Sequence, residues 1–316
     1  MKKNNLRITL ILYCILIVVF IVSLSIGRYQ TDIANLLKNT AARNQLALVV
    51  INIRLPRAIA ALFIGAALAT AGTVFQTLFR NPMASPATLG ASSGAAFGAL
   101  LAIFLEQSYG VVIATAFFGG LLSIVVVIGV IRHLNIEPML GLILTGMVVS
   151  SLFGGLNSLL KLLADPLKTL PEMTYWLFGS LANIGYPELL IVAVVIATAW
   201  LLLYKLSFRI NVLSMGYEEA KTLGVDAKMT LYISVLAATL LTAASVAISG
   251  IIGWIGLVIP HICRKLVSQD SKWLILTASP MAAIFLLVID TLSRTLYTAE
   301  IPVGILISLI GAPVFL

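Results

Sequence analysis

The stretch from Arg54 to Gly98, RLPRAIAALFIGAALATAGTVFQTLFRNPMASPATLGASSGAAFG, limits the fold more than any other part of the chain. It holds two apolar helices with small residues spaced along them, and the only polar break is Arg80-Asn81-Pro82. That break is too short for a domain linker, so the two helices form a hairpin. An apolar hairpin belongs in a bilayer, and its small residues point to packing against other helices rather than lipid.

The rest of the chain agrees. It has 316 residues, 60% hydrophobic and 10% charged, with a mean hydropathy of +1.09. Soluble domains are about 45–50% apolar and about 25% charged. A spanning helix needs roughly 20 apolar residues. Closed β-barrels, the other spanning solution, alternate residue by residue, and these runs do not. The fold class expected is all-α, a polytopic membrane protein of about ten transmembrane helices in one domain over 1–316. The spans are expected at 8–27, 56–79, 86–105, 111–131, 139–160, 187–206, 230–249, 251–267, 274–293 and 302–316. A turn at Ser249-Gly250 separates the seventh from the eighth, because their joint length is too great for one crossing. Leu170 to Asn183 reads as a short helix at a membrane face. Met1 to Gly27 resembles a signal peptide, but its apolar core is long and lacks a small-residue cleavage site, so it reads as a retained first span. Cys14 and Cys263 are expected not to form a disulfide.

The net charge of +8 reflects basic loops between apolar runs, not a nucleic-acid surface. With the N-terminus inside, the inner segments hold twelve cations: Lys2, Lys3, Arg7, Arg80, Arg132, Lys205, Arg209, Lys221, Lys228, Arg264, Lys265 and Lys272. The outer segments hold eight, and five of these, Arg28, Lys38, Arg43, Arg54 and Arg57, lie in one loop over about 28–57. Leaving that loop aside, the bias places both termini in the cytoplasm. The five outer cations break the trend and call for a separate reason.

Gly90, Gly94 and Gly98 form a flat stripe on span 3, and Gly65, Ala69 and Thr73 do the same on span 2. Helix packing explains them, with a place along a translocation path as the alternative. Gly250, Gly253 and Gly256 do not have dinucleotide-binding spacing. Pro260 is expected to end or kink span 8. Asp290 and Arg294 share a helix face and can pair, with Glu300 as a competitor for the same arginine and partner docking as the other role for Arg294. The inner loop at about 207–229 contains a short helix from Tyr217 to Leu223 between Gly216 and Gly224, with Gly224 as its C-terminal cap. Such a helix suits a soluble partner. No phosphate-binding loop, HExxH motif or metal-ligand cluster is present, and His133 and His261 are isolated. The reading is of a chain that is not an enzyme and binds no cofactor or metal.

These residues carry a resemblance over nearly the whole chain. RLPR at 54–57, GAALATAGTVFQTLFRNPMASPATLGASSGA at 65–95, YWLFGS at 175–180, GYEEAKTLGV at 216–225, SGIIGWIGLVIPHICRKL at 249–266 and DTLSRTLYTAEIPVGILISLIGAPVF at 290–315 resemble FecCD-type permeases. These are membrane subunits of importers for iron–siderophore complexes, haem and cobalamin. The resemblance implies a permease subunit of an ATP-binding-cassette importer in a bacterial or archaeal cytoplasmic membrane. Its partners would be a second permease, identical or related, two ATPase subunits that hydrolyse ATP, and an extracytoplasmic binding protein. It further implies coupling to the ATPase through Gly216, Tyr217, Glu218, Glu219, Ala220, Leu223 and Gly224. Docking of the binding protein would fall to Arg54, Arg57 and Arg294 beside the outer loop at about 28–55. A cytoplasmic gate would lie at Asn81, Pro82, Met83 and Met139. Relatives of this type usually extend past GAPVF, which makes span 10 short here. A ferric siderophore is the expected solute, with haem or cobalamin as alternatives. From another class, a secondary transporter driven by an ion gradient would need acidic residues in its spans, and the spans hold few.

Overall fold

The computed structural model describes the backbone of residues 2–27, 40–134 and 138–315. Among these residues there is no strand; the chain is a bundle of helices. α1 runs Lys2–Ser25, and α2, Thr40–Val49, continues through a π-helical turn at Val50–Arg54 into α3, Leu55–Leu78. Then follow α4 (Ala91–Phe104), α5 (Tyr109–Leu134), α6 (Pro138–Leu163), α7 (Thr169–Phe178) and α8 (Tyr186–Leu213). The last five are α9 (Tyr217–Thr222), α10 (Ala227–Ser249), α11 (Ile255–Leu266), α12 (Ser271–Thr295) and α13 (Val303–Phe315).

Each of the ten expected spans has its helix, but three are short. α4, α11 and α13 have 14, 12 and 13 residues, about 20 Å each against a hydrocarbon core of about 30 Å. Seven other helices, the continuous Asn44–Leu78 among them, are long and apolar enough to cross. Irregular backbone at membrane depth is tolerated only where protein or water satisfies it. The non-helical residues ahead of α4 and α11 meet that condition. Ser85, Ile251, Gly253 and Trp254 line a shared cavity of about 200 Å³. Ser249 O also accepts the Ser180 amide at 2.8 Å.

α3 is the centre, packed by α8, α10, α11 and α12. Its apolar stretch is 78% buried, whereas that of α1 is 11% buried, so α1 lies at the periphery against α12. Lipid offers no hydrophobic drive between helices, so close backbone approach has to hold them. Gly72 supplies it: a Cβ there would overlap Gly256 O of α11. Gly94 and Gly98 meet the backbone of α5 at Gly119 and Thr115, and Gly65 meets Ala282 of α12. Both small-residue stripes therefore face other helices. Gly90 instead caps α4 with φ 81°.

Several expectations are met and others corrected. The break between α10 and α11 falls at Gly250, with φ 67°. The short helix α7 lies within 170–183 apart from its first residue. Residues 40–54, expected as outer loop, are helical, while 28–39, with Arg28 and Lys38, lie outside the described residues. The loop expected from 207 begins only after Leu213. α11 runs six residues beyond Pro260. A proline lacks the amide that would bond to the carbonyl four residues back. Here that carbonyl, Gly256 O, receives the Gln76 side-chain amide at 3.4 Å, so the helix need not end.

Candidate functional site

The candidate residues fall at opposite ends of the bundle. The end that carries the N-terminus is tied together by Asn5 Nδ2 donating to Ser268 Oγ at 2.9 Å and Asn211 Nδ2 donating to Asp270 Oδ1 at 2.9 Å. Between α8 and α10, the short helix α9 sits on this end. Its termini are built by sequence. Gly216 opens it, and Ala220 N donates to Gly216 O at 3.0 Å. Gly224 adopts φ 76°, Gly224 N bonds Lys221 O at 3.0 Å, and Val225 N bonds Ala220 O at 3.0 Å. That pair of bonds is a Schellman closure, which needs a left-handed residue and therefore favours glycine. Asp226 then caps α10 by accepting the Met229 amide at 2.9 Å.

α9 has one inward face. Ala220 is fully buried, while Glu218, Glu219 and Leu223 are exposed. Lys221 pairs with Glu218 at 2.8 Å and lies over the Tyr217 ring at 4.8 Å. The Glu218 hydrogen bond holds the Lys221 ammonium above its ordinary pKa. Exposed Met215 and Met229 flank the helix. The result is a fixed projection with an acidic and an apolar surface.

On the same end, the turn after α3 exposes Asn81, Pro82 and Met83. Arg80 takes φ 49°, and Asn81 Oδ1 accepts the Met83 amide at 2.9 Å, closing an Asx turn. Met139 is half-buried in the first turn of α6 and packs on the core. No described hydrogen bond joins it to the turn.

The opposite end holds Arg54, Arg57 and Arg294, and it corrects the expectation that they face outward: all three are buried. Arg57 donates Nη2 to Asp290 Oδ1 at 2.8 Å and Nη1 to Glu300 Oε2 at 2.9 Å. Arg294 Nε lies 3.0 Å from Asp290 Oδ2. The expected Asp290–Arg294 pair is present, but Glu300 joins Arg57 instead of Arg294. The other guanidinium nitrogens cap α1. Arg54 Nη1 donates to Leu24 O at 2.9 Å and Ser25 O at 3.1 Å. Arg294 donates to Ser23 O at 3.1 Å and Ile26 O at 3.3 Å. A helix leaves its last four carbonyls without partners, and cations at that end oppose its dipole. The sequence shows the cations but not that two carboxylates and a helix end converge on them.

Gln76 was also missed. It is a lone amide in an apolar span, and that oddity is the signal that could have found it. Its Nε2 donates to Leu257 O at 3.1 Å, and its Oε1 accepts from Arg264.

With the geometry in place, the chain can be compared with known proteins. Residues 15–316 match the signature of the FecCD transport family. The chain belongs to that family. Its relatives include the molybdate import system permease protein MolB of Haemophilus influenzae, 39% identical over 95% of this chain and 91% of that one. The hemin transport system permease protein HmuU of Yersinia pestis is 35% identical over 88% and 85% of the two chains. A solved structure described as an inward-facing conformation of a metal-chelate type ABC transporter superposes with a TM-score of 0.88. It is 37% identical and covers 98% of this chain and 97% of that one. As a FecCD member the chain is a type II importer permease, a membrane transport subunit and not an enzyme; ATP hydrolysis belongs to a separate subunit.

Proposed function

We propose that this FecCD permease moves a ferric siderophore or related metal chelate from an extracytoplasmic binding protein across a prokaryotic cytoplasmic membrane by alternating access. Two permeases, identical or related, would frame the path, with two ATPase subunits beneath and both termini in the cytoplasm. The observation that carries the reading is α9, a helix held by a capped turn at each side, buried through Ala220 and projecting Glu218, Glu219 and Leu223. A rigid element with an acidic and an apolar face can pass motion between subunits; a loose loop cannot. The cation bias, twelve to three with the outer loop left aside, supports a cytoplasmic position for it. The turn at Asn81, Pro82 and Met83, with Met139 at the start of α6 in the same role, is the proposed gate on that side.

Relatives named for iron chelatin, hemin and cobalamin support a complexed metal as solute and leave haem and cobalamin as alternatives within the class, whereas the relative named for molybdate takes a simple oxyanion. An ion-gradient mechanism has less support. Among the described residues the fully buried carboxylate is Asp290, and two arginines already match its charge. At the opposite end, Arg54, Arg57 and Arg294 gather around the end of α1, where an acidic binding protein would dock. Buried as they are, Arg54, Arg57 and Arg294 would act by holding that surface in shape.

The test replaces Glu218 and Glu219 together by Lys in the assembled importer. ATP-driven uptake of a labelled ferric siderophore should fall at least about tenfold, while membrane insertion stays normal. Normal uptake would remove the coupling assignment. Uptake that persists without the ATPase subunits would favour the gradient-driven class.

A further inference from the structure

A cavity of about 1100 Å³, part of it open at the mouth, lies at the N-terminal end of the bundle between α3, the end of α8 and α11. Arg80, His261, Arg264 and Lys265 line it together with Gln76 and Thr77. None of its lining residues is a carboxylate, and among the described ion pairs none engages Arg80, Arg264 or Lys265. Asp270, on the neighbouring turn, is committed elsewhere: its Oδ1 accepts from Asn211 at 2.9 Å and from the Lys272 amide at 2.9 Å.

Arg264 is the key group. It is half-buried, and neutral oxygens hold its guanidinium in place: Gln76 Oε1 accepts from Nη1, and Thr77 Oγ1 accepts from Nη2 at 3.4 Å. Gln76 is itself fixed through the carbonyls of Gly256 and Leu257. The side chain is thus aimed but not neutralised. Arg264 and Lys265 lie in the last turn of α11, whose dipole contributes only about half a negative charge. Three permanent cations against that half charge leave a surplus of roughly two or more. Arg80 and Lys265 are exposed to water, but leaving the Arg264 guanidinium half-buried without a counter-charge is costly.

We propose that this cavity binds a phosphate-type oxyanion. A phosphate group carries about −1.5 to −2 charges and three acceptor oxygens, which suits a fixed guanidinium with an ammonium and a second guanidinium at the rim. The space exceeds one free oxyanion, so either inorganic phosphate or the head of an anionic phospholipid can supply the group.

The test uses the importer purified with its partner subunits. In one arm, delipidated protein in a neutral detergent is titrated with inorganic phosphate at constant ionic strength, and the unfolding temperature is followed. In the other arm, the protein in nanodiscs of phosphatidylcholine is compared with nanodiscs containing phosphatidylglycerol. A saturable rise in the first arm identifies free phosphate, and a rise confined to the second identifies the lipid head. Arg264→Gln should abolish the response. Lys265→Gln and Arg80→Asn, at exposed positions, should each weaken it about tenfold, and they carry the test if the Arg264 variant does not fold. No rise with either probe, or the same rise in both exposed variants, would overturn the site.

Discussion

At one end of the bundle, three arginines are sunk among two carboxylates and the last carbonyls of α1. At the other, Arg80, Arg264 and Lys265 surround a cavity with no described carboxylate partner. The first arrangement closes on itself: each guanidinium is spent on holding helices together. The second is open, its one half-buried cation positioned by neutral groups and its charge left available. Chains in a membrane keep buried charge only where something uses it. The contrast assigns architecture to the paired end and ligand contact to the unpaired one.

The sharpest way to break this comparison is Asp290→Ala. It leaves Arg294 without a carboxylate and Arg57 with Glu300 alone, and removing one partner of a buried pair costs about 3–5 kcal/mol. Unfolding in detergent should show a loss of that order, and an unchanged midpoint would mean that the paired end is not structural. Next comes Gln76→Leu, which removes the anchor of Arg264 and the donor to two α11 carbonyls. A loss of about 1–3 kcal/mol is expected, along with a weaker phosphate response. If stability falls but the phosphate response does not, Arg264 does not need aiming. A smaller effect follows from Glu300→Gln, because Glu300 is partly exposed and Arg57 keeps Asp290. About 1 kcal/mol or less should be lost. The smallest belongs to Glu218→Gln: its pair with Lys221 is exposed, so the unfolding midpoint should not move. Any change in transport would then report coupling rather than folding.

Much of this fold was legible because membrane helices announce themselves by length and hydropathy. Each of the ten runs became a helix, and α9 was readable from Gly216 and Gly224, whose backbone needs are local. Non-local facts were hidden. Pro260 looked like a helix end because its compensation comes from Gln76, 184 residues earlier in the sequence. The arginines of the RLPR segment looked exposed because Glu300 and the end of α1 reach them only in three dimensions. α4 and α11 looked longer because the irregular residues beside the cavity between them have the hydropathy of a span. Sequence periodicity reports burial in lipid and does not distinguish it from the lining of a cavity.

The capping of α1 also bears on how the protein is made. Arg54, only some 30 residues downstream, can close the carbonyls of Leu24 and Ser25 soon after α3 enters the bilayer. The carbonyls of Ser23 and Ile26 wait for Arg294, on the ninth span. α1 packs on the bundle through one face only, against α12, and its polar ties lie towards its two ends. The first helix to be synthesised is therefore among the last to be locked. A chain interrupted before α12 would keep an unfastened N-terminal helix, a physical mark by which incomplete copies differ from finished ones.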